Sequence, residues 1–350
     1  MKPVRIGLIG CGWFAQSVHL PVLTGLPGVN VVALAEPDPD RLRAAGLLAP
    51  EAARYSDYLD LLQHADAEAV VICVPTAIHR EATIAALSRG RHVYLEKPIA
   101  TDLEEARTIV DAWDRVRVIG MIGFNYRCNP LHRSAKAIVQ SGALGRIVGV
   151  RSVFTTQTRS LPEWKRHRRS GGGALRELGS HHIDLARYYF GENVRSVFAG
   201  LRSIHTEEDT ATLHLTLVGG IDMQSCFSLS AVEEDRFEVI GDTGKLTVDR
   251  YRGLQVEVGI GGGVFSRIRR MAGRLNLGSR GSYLLKRLRS PWHEPSYREA
   301  LSSFVAAVKL GGSVSPDFLD GYRSLEVICA AEQSDQTGRS ISLVPSVKDS

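Results

Sequence analysis

The sequence predicts an α/β protein of two domains: a doubly wound parallel sheet, then an α+β domain with an open, largely antiparallel sheet. Three observations carry this expectation. Short apolar runs alternate with helical stretches over residues 1–123, which calls for a parallel sheet covered on both faces. The first run ends in a glycine cluster. From residue 124 the pattern changes to longer alternating segments joined by turn residues. The boundaries are therefore 1–123 and 124–350, with the last helix expected to pack back on the first domain. At 350 residues the chain exceeds the size of one hydrophobic core, which agrees with two domains.

In order, "VRIGLIG" reads as a buried strand and residues 14–26 as a helix. "NVVALAEPD" and "AEAVVICVPT" are the next strands, and the helix "HREATIAALSRG" stops at Gly90. "HVYLEKP" is a fourth strand closed by proline, residues 102–113 form a helix, and "RVIGMIGFN" is a fifth strand. A helix follows Pro130 to about Gln140. Then "GRIVGVRSVFTTQT", "TATLHLTLVGGIDMQSCFSLS" and "DRFEVIGDTGKLTVDRY" read as strands, with "GDTGKL" a hairpin turn.

With 44% hydrophobic and 23% charged residues, the chain has the balance of a globular protein, and no apolar run reaches the ~18 residues of a membrane helix. The start mimics a signal peptide, but its apolar run is short and reads better as the first strand. The five cysteines are scattered and never spaced C-x-x-C, which argues against a disulfide framework or structural zinc and for a reducing, cytoplasmic setting. The net charge of +5 does not by itself imply nucleic acid, and no nucleic-acid partner is expected. Residues 259–293 carry many Arg and Lys and no Asp or Glu; they read as a solvated insertion or as a site for an anionic partner or membrane surface.

Gly10-Cys11-Gly12-Trp13-Phe14-Ala15 is a G-x-G-x-x-A between a strand and a helix. The first glycine permits the tight turn, the second lets backbone approach a pyrophosphate, and Ala15 lets helix and strand pack closely. Free amides and the positive dipole end of the helix then favour phosphate. This context marks a Rossmann dinucleotide-binding domain. Glu36 ends the next strand, where a carboxylate accepts ribose hydroxyls and repels a 2′-phosphate, so NAD is expected over NADP; Arg41 nearby keeps NADP in play. Lys97 lies at the carboxyl end of the fourth strand, where open α/β sheets place ligands, and Pro98 holds it away from helical angles.

The motifs "GLIGCGWFA", "VPTAIHREATIAAL", "HVYLEKPIA", "GFNYR", "SGALGRIVGV" and "GGGALRELGSHHIDLARYYFG" together resemble the Gfo/Idh/MocA oxidoreductases, the glucose–fructose oxidoreductase and inositol dehydrogenase group. The resemblance covers about residues 4–191 and, more loosely, the C-terminal end. It implies hydride transfer between a nicotinamide and a secondary hydroxyl of a sugar, sugar acid, nucleotide sugar or cyclitol, in a homodimer or homotetramer. It implies cofactor contacts from Gly10, Gly12, Trp13, Phe14, Ala15, Glu36, Pro75, Thr76, His79, Glu96 and Lys97. The family's proton chemistry falls on Lys97 and His181, and Glu177 stands where the family has Asp.

Glu177, His181 and Asp184 are spaced i, i+4 and i+7, which on an α-helix is one face; His182 points about 100° away. A histidine suits proton removal from a hydroxyl, and Lys97 suits stabilising the charge that develops. Glu177 would orient the pair or relay the proton. The same three side chains could instead ligate zinc, but the spacing lacks E-x-x-H or H-x-x-x-H and no metal is expected. His182 reads as a packed or solvated histidine. Tyr126, Arg127, Trp164, Lys165 and Arg168 are the candidate substrate residues, the basic group "WKRHRR" matching either an anionic sugar or a flexible loop. Two other functions use the same parts: an NAD-dependent glycosidase, and a dinucleotide-binding regulator without turnover.

Overall fold

The computed structural model describes residues 2–158, 166–168, 171–261 and 277–343. The chain forms two compact units, Met1–Cys128 with Arg287–Tyr322, and Asn129–Lys286 with Arg323–Ser350.

The first unit holds β1 (Val4–Ile9), α1 (Leu20–Thr24), β2 (Val29–Ala35), α2 (Pro39–Leu48), β3 (Ala53–Tyr55), α3 (Tyr58–His64), β4 (Ala69–Ile72), α4 (His79–Leu87), β5 (His92–Leu95), α5 (Leu103–Asp114) and β6 (Gly120–Ile122). The six strands are all parallel in the order β3-β2-β1-β4-β5-β6. β4 reads as an unbroken apolar run because both sheet faces are covered, and every residue of it is buried. Polar residues set the helix starts: Asp38, Asp57 and Asp102 each accept backbone N–H bonds from the first turns of α2, α3 and α5. α1 is preceded by a π-turn over Ala15–His19.

The second unit holds α6 (Pro130–Gln140), β7 (Ile147–Thr155), α7 (Ser180–Phe190), β8 (Val194–Arg202), β9 (Thr210–Leu217), β10 (Asp222–Ser228), β11 (Glu234–Gly241), β12 (Gly244–Asp249) and β13 (Glu257–Ile260). With the late strand β14 (Ile341–Ser342) they form an eight-stranded sheet, β13-β12-β11-β7-β10-β9-β8-β14. Among the described residues only the β7–β10 pairing of this sheet is parallel. The expected hairpin is β11–β12, with Ile240 opposite Lys245 across the Gly-Asp-Thr-Gly turn. One sheet face buries Val150, Phe154, Leu213, Phe227, Phe237 and Val239, and Phe237 packs on Tyr189 of α7 at 5.0 Å. On the other face Glu238 is gripped by Arg151, Arg236 and Lys245; burial pushes its carboxyl up, but these cations hold it down to about 2.

Three further helices follow: α8 (Leu277–Leu288), α9 (Ser296–Leu310) and α10 (Phe318–Thr337). Here the division of the chain differs from the one expected at residue 123. Ala300, Leu301, Phe304 and Val305 of α9 share a core with Val4, Ile6, Leu8, Leu23 and Tyr94, which draws residues 287–322 into the first unit. The last helix, α10, passes from one unit to the other after Tyr322. Local patterning shows that α9 is amphipathic but carries no record of which core its apolar face joins. Of the basic stretch, residues 262–276 lie outside the described residues; Leu284, Leu285 and Leu288 of α8 are exposed.

Candidate active site

In the first unit the candidate residues gather at the carboxyl ends of β1, β2, β4 and β5. β1 and β4 are the neighbours at which the strand order reverses, the place where open α/β sheets bind ligands. Gly10 ends β1 at φ +88°, and a Cβ there would stand 2.5 Å from the Cys73 carbonyl oxygen, so only glycine fits. Gly12 differs: a Cβ there would meet no protein atom within 4 Å. The protein's own packing does not call for glycine at 12, and the open space suits a phosphate approaching the backbone. Ala15 is fully buried, Phe14 half-buried and Trp13 exposed.

Glu36, which follows β2, is only 6% exposed. One carboxylate oxygen accepts from the Cys11 N–H at 2.8 Å, the other from the Asp38 N–H at 3.2 Å. Each oxygen keeps a lone pair for a ribose hydroxyl. Burial and the Glu36 charge push the Cys11 thiol up to about 12, so it stays protonated and is no nucleophile. Pro75 and the buried Thr76 open the short turn after β4.

His79, expected to line the dinucleotide, sits between two loops. It is buried, with its ring nitrogens 2.8 Å from the Pro98 carbonyl and 3.1 Å from the Val74 carbonyl. With one N–H, the neutral ring donates to one of these carbonyls and packs against the other. Burial lowers its pKa despite these two carbonyls, so the ring is neutral at pH 7.

Glu96 and Lys97 follow β5, both half-buried. Glu96 Oε1 lies 2.9 Å from Nε2 of the fully buried His19, and Glu96 Oε2 accepts the Lys97 N–H at 3.2 Å. Gly123 leaves room for this carboxylate, since a Cβ there would stand 2.9 Å from it. His19 thus anchors the residue beside Lys97. Sequence reasoning passed over it, although a histidine inside the apolar run "SVHLPVL" was the available signal.

In the second unit Gly171 and Gly173, at φ +97° and +98°, lead into the helix that carries Glu177 and His181. An i, i+4 face requires an α-helix throughout this segment. A π-turn occupies Leu175–Gly179, with the Ser180 N–H reaching the Leu175 carbonyl, so the phase between Glu177 and the α-helical His181 departs from 100° per residue. Glu177 is half-buried, His181 is 8% exposed and Asp184 is fully buried.

His182 is fully buried, so the packed reading applies and the solvated one does not. Its Nε2 lies 3.2 Å from Asp235, which also pairs with Arg250 at 2.6 Å. Phe154 stacks on His182 at 5.5 Å and contacts His181 at 6.4 Å. Close by, His132 Nδ1 lies 2.7 Å from the Tyr189 hydroxyl, and burial drives the His132 pKa down to about 3. Arg176 and Glu332 form a second buried pair, at 2.7 and 3.0 Å.

Of the candidate substrate residues, Arg127 is held internally. It is buried in the first unit and donates to both Asp320 oxygens, at 2.8 and 2.9 Å, and to Ser315 Oγ at 3.0 Å. The guanidinium is engaged internally by a carboxylate 193 residues away, so it braces the start of α10. Tyr126 is buried too. Arg168 is half-buried and donates to Glu208 at 3.3 Å. Trp164 and Lys165 lie outside the described residues.

Two family models match the chain: an oxidoreductase family, NAD-binding Rossmann fold, over residues 4–124, and a GFO/IDH/MocA C-terminal domain over residues 132–247. The chain belongs to the Gfo/Idh/MocA oxidoreductases. Among its relatives is inositol 2-dehydrogenase of Rhizobium meliloti (strain 1021), 27% identical over 97% of this chain and 99% of that one. Myo-inositol 2-dehydrogenase of Thermotoga maritima is 29% identical over 97% and 98%. Among solved structures, the WlbA dehydrogenase from Bordetella pertussis, in complex with NADH and UDP-GlcNAcA, shares the fold at a TM-score of 0.85, with 22% identity over 98% of this chain and 99% of that chain. The fold class expected from the Gfo/Idh/MocA resemblance is the one observed.

Proposed function

We propose that this Gfo/Idh/MocA protein is an NAD-dependent dehydrogenase or reductase acting on a secondary hydroxyl or ketone of a sugar, sugar acid, nucleotide sugar or cyclitol. The observation that carries the reading is Lys97, held at the ligand-binding edge of a Rossmann sheet whose glycine loop is open at Gly12. The relatives, named for inositol, levoglucosan and nucleotide-sugar substrates, support the substrate class.

NAD, when bound, supplies the hydride acceptor at its nicotinamide ring. The chain's own residues handle the proton. His181 takes it from the substrate hydroxyl as the carbon–hydrogen bond breaks, and the Lys97 ammonium stabilises the oxygen that is becoming a carbonyl. Glu177, which lies in the π-turn, orients this pair with a side chain one methylene longer than the family's Asp. Reduction of a ketone runs the same steps backwards, with His181 returning the proton.

Glu36 supports NAD over NADP. Its carboxylate is fixed by two backbone amides beside the glycine loop, and a 2′-phosphate there would meet a buried negative charge. Arg41, which would welcome that phosphate, pairs instead with Asp38 at 3.5 Å. The five free thiols support a reducing compartment such as the cytoplasm, and a homo-oligomer belongs to the same reading.

The test follows NADH absorbance and products together while the purified protein meets NAD and a panel of inositols, aldoses, uronic acids and nucleotide sugars. We expect NADH and ketone to appear in equal amounts with at least one member, and Lys97→Ala and His181→Ala to lower kcat by ~100-fold or more. Hydrolysed sugar without net NADH would replace this reading by the glycosidase one. Tight NAD binding with no product from any member would replace it by the regulator.

A further inference from the structure

The glycine loop is covered by a segment that no motif connects with it. Trp292, 279 residues beyond Trp13, stacks on the Trp13 ring at 4.8 Å with 22° between planes. It also approaches Phe14 at 5.4 Å, and Tyr297 closes the group from behind, 5.6 Å from Phe14 and 6.1 Å from Trp292. The cluster continues through Phe14 to His19 at 5.0 Å, and so to Glu96 beside Lys97.

Two features set this pair apart from core packing. Trp13 is 72% exposed and Trp292 45%, so much of each ring faces outward rather than into the first unit's core. The strap that presents Trp292 is also strained: Trp292 and His293 lie at φ +53° and +56°, a region that side-chain-bearing residues rarely enter. It is held there by a firm base. Glu294 and Ser296 are buried, Ser296 N–H donates to Glu294 at 3.0 Å, and Ser296 Oγ accepts from Asn125 at 2.6 Å. A strained backbone presenting a large exposed ring to a ligand loop is the pattern of a functional clamp.

We infer that Trp292 is a cofactor-binding residue, forming with Trp13 an aromatic clamp that holds NAD(H) over the glycine loop and limits its release. This rests on the dehydrogenase reading above. A dinucleotide whose pyrophosphate sits at Gly12 lies against residues 12–14 and therefore beside both indoles. The rings add dispersion contact and shield the phosphate–amide bonds from water, so their loss acts mainly on the dissociation rate.

The experiment uses the full chain and NADH alone, without sugar. Indole-to-NADH energy transfer gives Kd, and stopped-flow displacement by excess NAD gives the release rate. Trp292→Ala and Trp13→Ala are each expected to speed release about 10-fold, and Trp292→Phe about threefold. Trp292→Gly separates clamp from fold. Glycine accepts φ +53° without strain, so the variant melts no lower than Trp292→Ala yet releases NADH as fast. Release rates in the Ala and Gly variants equal to wild type would overturn the clamp while leaving the dehydrogenase reading intact. A wild-type protein that binds no NADH would remove both.

Discussion

The two units present their candidate groups by different means. The first works with backbone: a glycine turn, exposed amides and strand ends arranged along one sheet edge. The second works with side chains sunk in the core, where His181 rides on a helix secured by His182, Asp235 and Arg250. A backbone site is built from neighbours in sequence, whereas a side-chain site needs partners from distant strands. The first therefore tolerates change except at a few stereochemical points, and the second fails through its buried charges.

The sharpest test of the contrast is a pair of glycine variants in the first unit. Gly10→Ala forces a Cβ to 2.5 Å from the Cys73 carbonyl at a φ that alanine disfavours, and we expect a loss of more than ~3 kcal/mol and of NADH binding with it. Gly12→Ala meets open space, so stability stays within ~0.5 kcal/mol while NADH affinity falls at least ~10-fold. Thermal melts alongside NADH titration read both. Equal melting temperatures for the two variants would mean that the loop's shape is not set by the contact with Cys73.

That contrast also explains what could be read from the sequence. The alternation of strands and helices in the first unit and its glycine loop were legible because each rests on local spacing. The internal pairing of Arg127 left no trace because nothing near it in sequence points to Asp320. The setting of His79 left none because Val74 and Pro98 lie in different loops. Asp235 and Arg250 left no trace beyond ordinary strand alternation, since a buried charge is recognisable only once its partner is known. The π-turn at Leu175–Gly179 escaped because a 3.6-residue repeat is assumed whenever a helix is read from periodicity.

The second unit's dependence on buried ionisable groups gives it a distinctive response to acid. His132 is kept neutral by burial, with its pKa down to about 3 against an ordinary 6.5. Between those values the unfolded chain binds a proton that the folded one refuses, so stability falls as pH drops below about 6.5. From pH 7.5 to 5 the loss amounts to about 2 kcal/mol. His132→Gln, which keeps a partner for the Tyr189 hydroxyl, should flatten that part of the curve in denaturant titrations. Asp235 acts lower. Burial would raise its pKa, but Arg250 and His182 hold it well below the usual range, so its contribution is complete above about 4 and disappears as pH falls through the folded value. An unchanged pH 5–7.5 slope in His132→Gln would place the acid sensitivity elsewhere, with the buried His79 of the first unit the next group to examine.

The smallest effect belongs to the first unit and concerns cofactor choice. Asp38 does two jobs there: it caps α2 by accepting the Asp40 and Arg41 amides at 2.9 and 3.1 Å, and it draws the Arg41 side chain to 3.5 Å. Asp38→Ala removes both. Losing the cap should lower the melting temperature by about 2 °C. Releasing Arg41 offers a cation to a 2′-phosphate while Glu36 stays in place, so kcat/KM for NADP relative to NAD should rise by only about threefold. Glu36, buried and fixed by two amides, would still set the preference. A much larger switch to NADP would shift that role from the carboxylate beneath the glycine loop to the exposed pair at the start of α2. Specificity would then depend on an exposed ion pair and not on a buried carboxylate fixed by backbone amides.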